Sequence, residues 1–116
     1  MTKIKTSELQ GAALDWAVGS SLGMELRVSG YPDGEGGTEF TFAAKIPGGY
    51  KAYTPSTNWS QGGPLIESHE VEIEAGPWSA CCGIKTMHGD TILEAACRAI
   101  VSAKLGDEVD VPEELL

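Results

Sequence analysis

The sequence predicts an α+β fold, a single small domain in which an antiparallel sheet of about four strands packs with two helices around a long irregular central loop. Three observations carry that expectation. Apolar residues alternate with polar ones in two pairs of segments, 24–29 with 38–46 and 70–75 with 78–85. Capping-box spacings open a helical pattern near each end of the chain. Residues 47–68 follow neither period, and so long a connection in a small domain points to a functional loop.

Taken in order, Ser7 with Gln10 has capping-box spacing, and Leu9, Ala13, Trp16 and Ala17 then recur on one side, predicting a helix over about 8–18 with Gly19 and Gly23 as its stop. Trp16 is expected in the core. Met24, Leu26 and Val28, then Phe40, Phe42, Ala44 and Ile46, form the apolar faces of two strands; GYPDGEGG between them predicts a hairpin with a poorly ordered tip. A second hairpin follows with its turn at Ala75 to Pro77, and Glu70, Glu72 and Glu74 line a solvated face. Thr91 with Glu94 opens the last helix, Ile92, Ala96, Ala99 and Ala103 mark its stripe, and Gly106 ends it. Residues 1–106 are thus expected as one domain, with 107–116 an extended acidic tail that has little to bury.

Composition excludes several functions. Seventeen Asp and Glu against eight Lys and Arg give a formal charge of -9, a field that repels long nucleic acid. Neither a secretory signal nor an apolar run long enough for a membrane span is present, so a cytoplasmic protein without a membrane partner is expected. Cys81, Cys82 and Cys97 make a poor disulfide framework, and with His69 and His88 they lack a metal-binding spacing. No phosphate-binding loop or nucleophile motif appears, so no catalytic residue, metal ligand or cofactor is assigned.

The central stretch YTPSTNWSQGGP offers binding chemistry instead. Tyr53, Ser56, Thr57, Asn58 and Gln61 carry neutral donors and acceptors, Trp59 a flat apolar face, and Gly62 with Gly63 accessible backbone amides. Lys51 and Arg98 are candidates for added positive charge. This set suits a small polar ligand of nucleotide type. The same residues also make sense as a turn closed onto Leu65 and Ile66, with Trp59 in the core, and Arg98 as the partner of Glu94 in a weak surface ion pair.

The segments SELQGAALDWAV, PSTNWSQGGPLIE and EAACRAIVSAKLGDEVDVPEEL, with Trp78 and Ala80 as a W-x-A signature, resemble the NinX-like family of small lambdoid phage and prophage proteins, a family of unknown function. Residues 24–52 match it less well, and GDTIL stands where that family often has GPTPL. The resemblance implies a phage accessory protein acting in the cytoplasm of an infected bacterium. Three readings follow: a non-enzymatic binder that sequesters a nucleotide-type signal of a host defence system; a protein-binding inhibitor of a host factor acting through its acidic surface; and a hydrolase using Glu67, His69 or His88. A homo-oligomer is admissible, since a symmetric interface gives a small domain a deeper pocket than it builds alone.

Overall fold

The computed structural model describes residues 1–74, 78–83 and 85–116, the side chain of Thr41 excepted. Among them, eight strands and three α-helices run in the order β1 (Thr2–Lys5), α1 (Gly11–Ser21), β2 (Leu26–Pro32), β3 (Thr38–Ile46), β4 (Gly49–Ala52), α2 (Trp59–Ser68), β5 (Glu72–Glu74), β6 (Ser79–Cys81), β7 (Thr86–His88), α3 (Ile92–Leu105) and β8 (Glu108–Val111). The class is α+β. The strands fall into antiparallel sheets of order β1-β8, β2-β3-β4 and β5-β6-β7.

Helix α3 organises the chain because it is buried on two sides. Cys97 and Val101 join Leu9, Leu14, Val18, Phe42 and Tyr53 in one core; Ala95, Ala96, Ala99 and Ile100 join Val71, Ala80 and Met87 in another. Alanines let a β-sheet approach the helix closely on the second side. The single stripe expected from Ile92 to Ala103 is therefore too narrow, and Ala103 is exposed. Its start follows the sequence: Thr91 Oγ1 accepts the Glu94 N–H at 3.0 Å, and Glu94 Oε1 accepts the Asp90 N–H at 3.2 Å.

Helix α1 begins three residues later than the Ser7–Gln10 spacing suggests, because the chain before it is drawn to the end of α3. Thr6 donates its N–H to Asp107 O at 2.7 Å and its hydroxyl to Gly106 O at 2.7 Å, so residues 6–8 form a 3-10 turn and Gln10 becomes the helix cap. Gly23 follows the helix end, whereas Gly19 lies buried inside the helix, where an added Cβ would meet Leu26 at 3.0 Å. Leu26 and Val28 pack with Trp16 against the first core, as alternation requires.

The tip of the β2–β3 hairpin is tied rather than loose. Asp33 Oδ1 accepts the N–H groups of Glu35 at 2.7 Å and Gly37 at 3.1 Å, and these bonds, the first foremost, hold its carboxyl below the usual range. β4 escapes sequence reading because all four of its residues are exposed and no burial period marks it. Glu70, Glu72 and Glu74 are exposed, as expected; the turn predicted at Ala75 to Pro77 lies outside the described residues.

Two expectations need correction. The central loop contains α2, a ten-residue helix that keeps Gly62, Gly63 and Pro64 in its interior. The tail is also not a solvated appendage: β8 pairs with β1, and Val109 and Val111 are buried in the first core. Its acidity has a local use, since Asp110 stands opposite Lys3 and Glu108 opposite Lys5 across the two strands.

Candidate functional site

The motif is built as a buried strap followed by a capped helix. Tyr53, Pro55 and Ser56 are buried, and the Ser56 N–H donates to Asp15 Oδ1 at 2.7 Å, fastening the strap to α1. Asp15 is itself only 3% exposed. Burial raises its pKa, and the adjacent Ser56 hydroxyl and N–H act in the opposite direction. The Ser56 hydroxyl lies beside this carboxyl but makes no hydrogen bond of ordinary geometry. Gln61 folds back from α2, accepting the Thr54 N–H at 2.7 Å and donating to Ala52 O at 2.9 Å. Asn58 caps α2 by accepting from the N–H of Ser60 at 3.0 Å and from its hydroxyl at 2.6 Å. Gly62 lies against the strap: a Cβ there would stand 2.3 Å from Pro55 O and 2.7 Å from Leu93 Cδ2.

These contacts bring Ser56, Thr57 and Trp59 to a cleft of about 410 Å³. Its other walls are Trp78, Gly11 and residues 90–94 at the start of α3. The first residues of α1, α2 and α3, namely Gly11, Trp59 and Ile92, thus border one space. A helix start carries the positive end of the helix dipole, so three of them meet at this cleft without a cationic side chain, although Asn58 and Thr91 already take the Ser60 and Glu94 N–H groups. Trp59 and Trp78 are 57% and 38% exposed, leaving indole faces available. Asp90 brings a carboxylate to the wall, while that of Glu94 is 3.0 Å from Arg98 and largely neutralised by it.

The remaining predicted site residues lie elsewhere. Tyr53 is in the first core, where burial, then Cys97 and Asp15, push its hydroxyl up to about 12. Asn58, Gln61, Gly62 and Gly63 hold or shape the strap and α2 and do not line the cleft. Lys51 is exposed on β4. Arg98 lies one turn beyond Glu94 and is no weak surface partner: the two side chains are 12% and 19% exposed, and Arg98 also donates to Leu9 O at 2.9 Å and His88 O at 2.8 Å. Sequence reasoning missed Gly11, Trp78 and the first turn of α3 as neighbours of Trp59. The W-x-A signature and the Thr91 capping box marked two of them singly, without a linear signal joining them.

Cys97 is chemically quiet, since burial foremost, then the charges of Asp15 and Glu94, push its thiol up to about 12. Among the described residues no group of His, Cys, Asp and Glu is placed to hold a metal ion, and no helix is long and apolar enough to cross a membrane.

Residues 5–104 match the model of a family described as Bacteriophage P22, NinX. No curated protein matches the chain.

Proposed function

The chain belongs to the Bacteriophage P22 NinX family, and we propose that it is a phage accessory protein that captures a small nucleotide-type ligand, without turnover, between Trp59 and Trp78. One observation carries this reading: the first residues of three α-helices border one cleft that also exposes two indoles. Indoles take a nucleobase by stacking, at about 1–3 kcal/mol per base. Helix N-termini take a phosphate through backbone N–H groups. Asp90 limits the charge that is welcome, favouring one phosphate or phosphodiester over a triphosphate. Capture of this kind needs shape and donors and no nucleophile, and it fits a protein that sequesters a signal in the cytoplasm of the infected host.

The alternatives draw less support from the geometry. An inhibitor acting through its acidic tail would use Glu108 and Asp110, which already face Lys5 and Lys3. The acid–base candidates Glu67, His69 and His88 do not line the cleft.

The test is to purify the protein from bacteria with active nucleotide-signalling defences, denature it, and identify released small molecules by mass spectrometry. An intact nucleotide is expected at about one per site, with indole fluorescence quenched when it is added back. Trp59→Ala and Trp78→Ala should each weaken capture roughly tenfold or more while melting near the parent temperature. An empty protein from every background, or a ligand retained equally by both variants, would refute the reading.

A further inference from the structure

From a second cavity, one turn further along α3, we infer that the protein has a separate binding site for a phosphate group. The cavity measures about 430 Å³ and lies between β1, β7 and the start of β8. Its walls are less acidic than the chain as a whole: seventeen carboxylates outnumber eight Lys and Arg overall, whereas here Lys5, Lys85 and Arg98 meet Asp107 and Glu108 on the lining, with Glu94 beside Arg98.

Arg98 decides which anion fits. Its Nε donates to Leu9 O at 2.9 Å, and its Nη1 donates to His88 O at 2.8 Å and lies 3.0 Å from Glu94. The guanidinium is therefore fixed before any ligand arrives, and Nη2 makes no hydrogen bond among the described residues. Each two-nitrogen edge of the fork has one nitrogen already engaged, so a planar carboxylate cannot be gripped in the usual bidentate way. What is left is a single guanidinium donor, two ammonium groups that act as point charges, the hydroxyls of Ser7 and Thr86, and the imidazole of His88. Donors approaching from several elements suit a tetrahedral group with several terminal oxygens.

The site carries its own competitor. Lys85 is paired with Asp107, and both side chains are more than half exposed, so the pair is screened by solvent and readily exchanged. A phosphate would take Lys85 from Asp107. That exchange gives the site a signature which a merely basic surface lacks: removing a negative charge at residue 107 should tighten binding, and removing a positive one at residue 85 should weaken it.

The experiment titrates the full chain with inorganic phosphate and, separately, with glycerol 3-phosphate, following amide and arginine Nε–H resonances. Saturable shifts are expected at Ser7, Thr86 and Arg98, with the Trp59 and Trp78 indole signals unmoved because neither ring borders this cavity. Lys85→Ala should weaken the midpoint about tenfold, the loss of one charge-assisted contact, and Asp107→Asn should tighten it roughly threefold. Both residues are exposed, so both variants should fold. Tighter binding of the ester would identify a phosphorylated metabolite as the occupant; equal binding would identify free phosphate. Non-saturating shifts, midpoints unchanged in both variants, or shifts centred on the indoles would overturn the inference, and the last would leave the indole cleft as the anion site.

Discussion

Adjacent glycines in α2 should respond in opposite directions to the same added methyl group. At Gly62 a Cβ would stand 2.3 Å from the backbone oxygen of Pro55 and 2.7 Å from Leu93 Cδ2. Relief requires a shift of roughly 1 Å, since nonbonded carbon–oxygen contacts rarely fall much below about 3.2 Å. Pro55 is buried and α2 is held by the Asn58 cap and the Gln61 clamp, so neither side yields freely. Overpacking of this kind costs about 1–3 kcal/mol. The helix-propensity gain of Ala over Gly, about 0.5–1 kcal/mol, offsets only part of it. Gly63 has the same propensity gain and only one neighbour, Trp59 Cε3 at 3.6 Å, an ordinary contact. Gly63→Ala should therefore stabilise by about 0.5–1 kcal/mol, and Gly62→Ala should destabilise by about 1–2 kcal/mol. Urea denaturation reads both directly, and thermal melting should separate the variants by roughly 6–12 °C. Equal stability of the two variants, or a gain at Gly62, would show that α2 does not rest on the strap as described.

Glu70 closes α2 with φ +52, a conformation that glycine adopts without strain, and Val71 N–H reaches Ile66 O at 2.9 Å around it. Glu70→Gly should stabilise by about 0.5–1 kcal/mol, and a loss in urea denaturation would contradict the left-handed assignment. Val111 is fully buried, so Val111→Ala should cost about 2 kcal/mol, and removal of residues 111–116 at least as much; a neutral truncation would mean that β8 does not dock in solution. Burial raises the Asp15 pKa in the folded chain, so the native state holds this proton more tightly than the unfolded one. Its contribution is therefore greatest in acid and falls as pH rises from the ordinary carboxylate value through the raised one. Asp15→Asn should remove that slope while keeping an acceptor for Ser56, whereas Asp15→Ala should cost about 1–3 kcal/mol by orphaning the Ser56 N–H. Stability measured between pH 3 and pH 8 distinguishes them, and an unchanged slope in Asp15→Asn would refute the assignment.

Elements were legible where local signal and burial agreed. Thr91 and Glu94 cap α3 as their spacing implies, and Leu26, Val28, Phe42 and Ala44 take the core side of their hairpin. Reading failed where tertiary contacts overrode a local preference. Gly62, Gly63 and Pro64 argue against a helix, yet close approach to Pro55 favours a glycine inside one. Ser7 and Gln10 have the right spacing for a cap, yet Thr6 is committed to Gly106 and Asp107 a hundred residues away. Residues 107–116 read as solvated because their five carboxylates outnumber their four Val and Leu side chains; the alternation that buries Val109 and Val111 spans only four residues and needs Lys3 and Lys5 opposite to make sense of Asp110 and Glu108.

The candidate site divides along the same line. The neutral polar residues that made the central stretch look like a ligand surface mostly spend their hydrogen bonds within the chain: Gln61 on Thr54 and Ala52, Asn58 on Ser60, the Ser56 amide on Asp15. What they leave outward is Trp59 and Thr57, too little to recognise a ligand alone. Recognition would instead come from features that no residue alphabet displays, the positive ends of three helices at one cleft, together with Trp78 from a distant turn. It follows that Asn58→Ala and Gln61→Ala would weaken capture by loosening the frame, with a matching loss of stability. Trp59→Ala and Trp78→Ala remove exposed rings that the cores do not use, so only they can separate a binding role from a structural one.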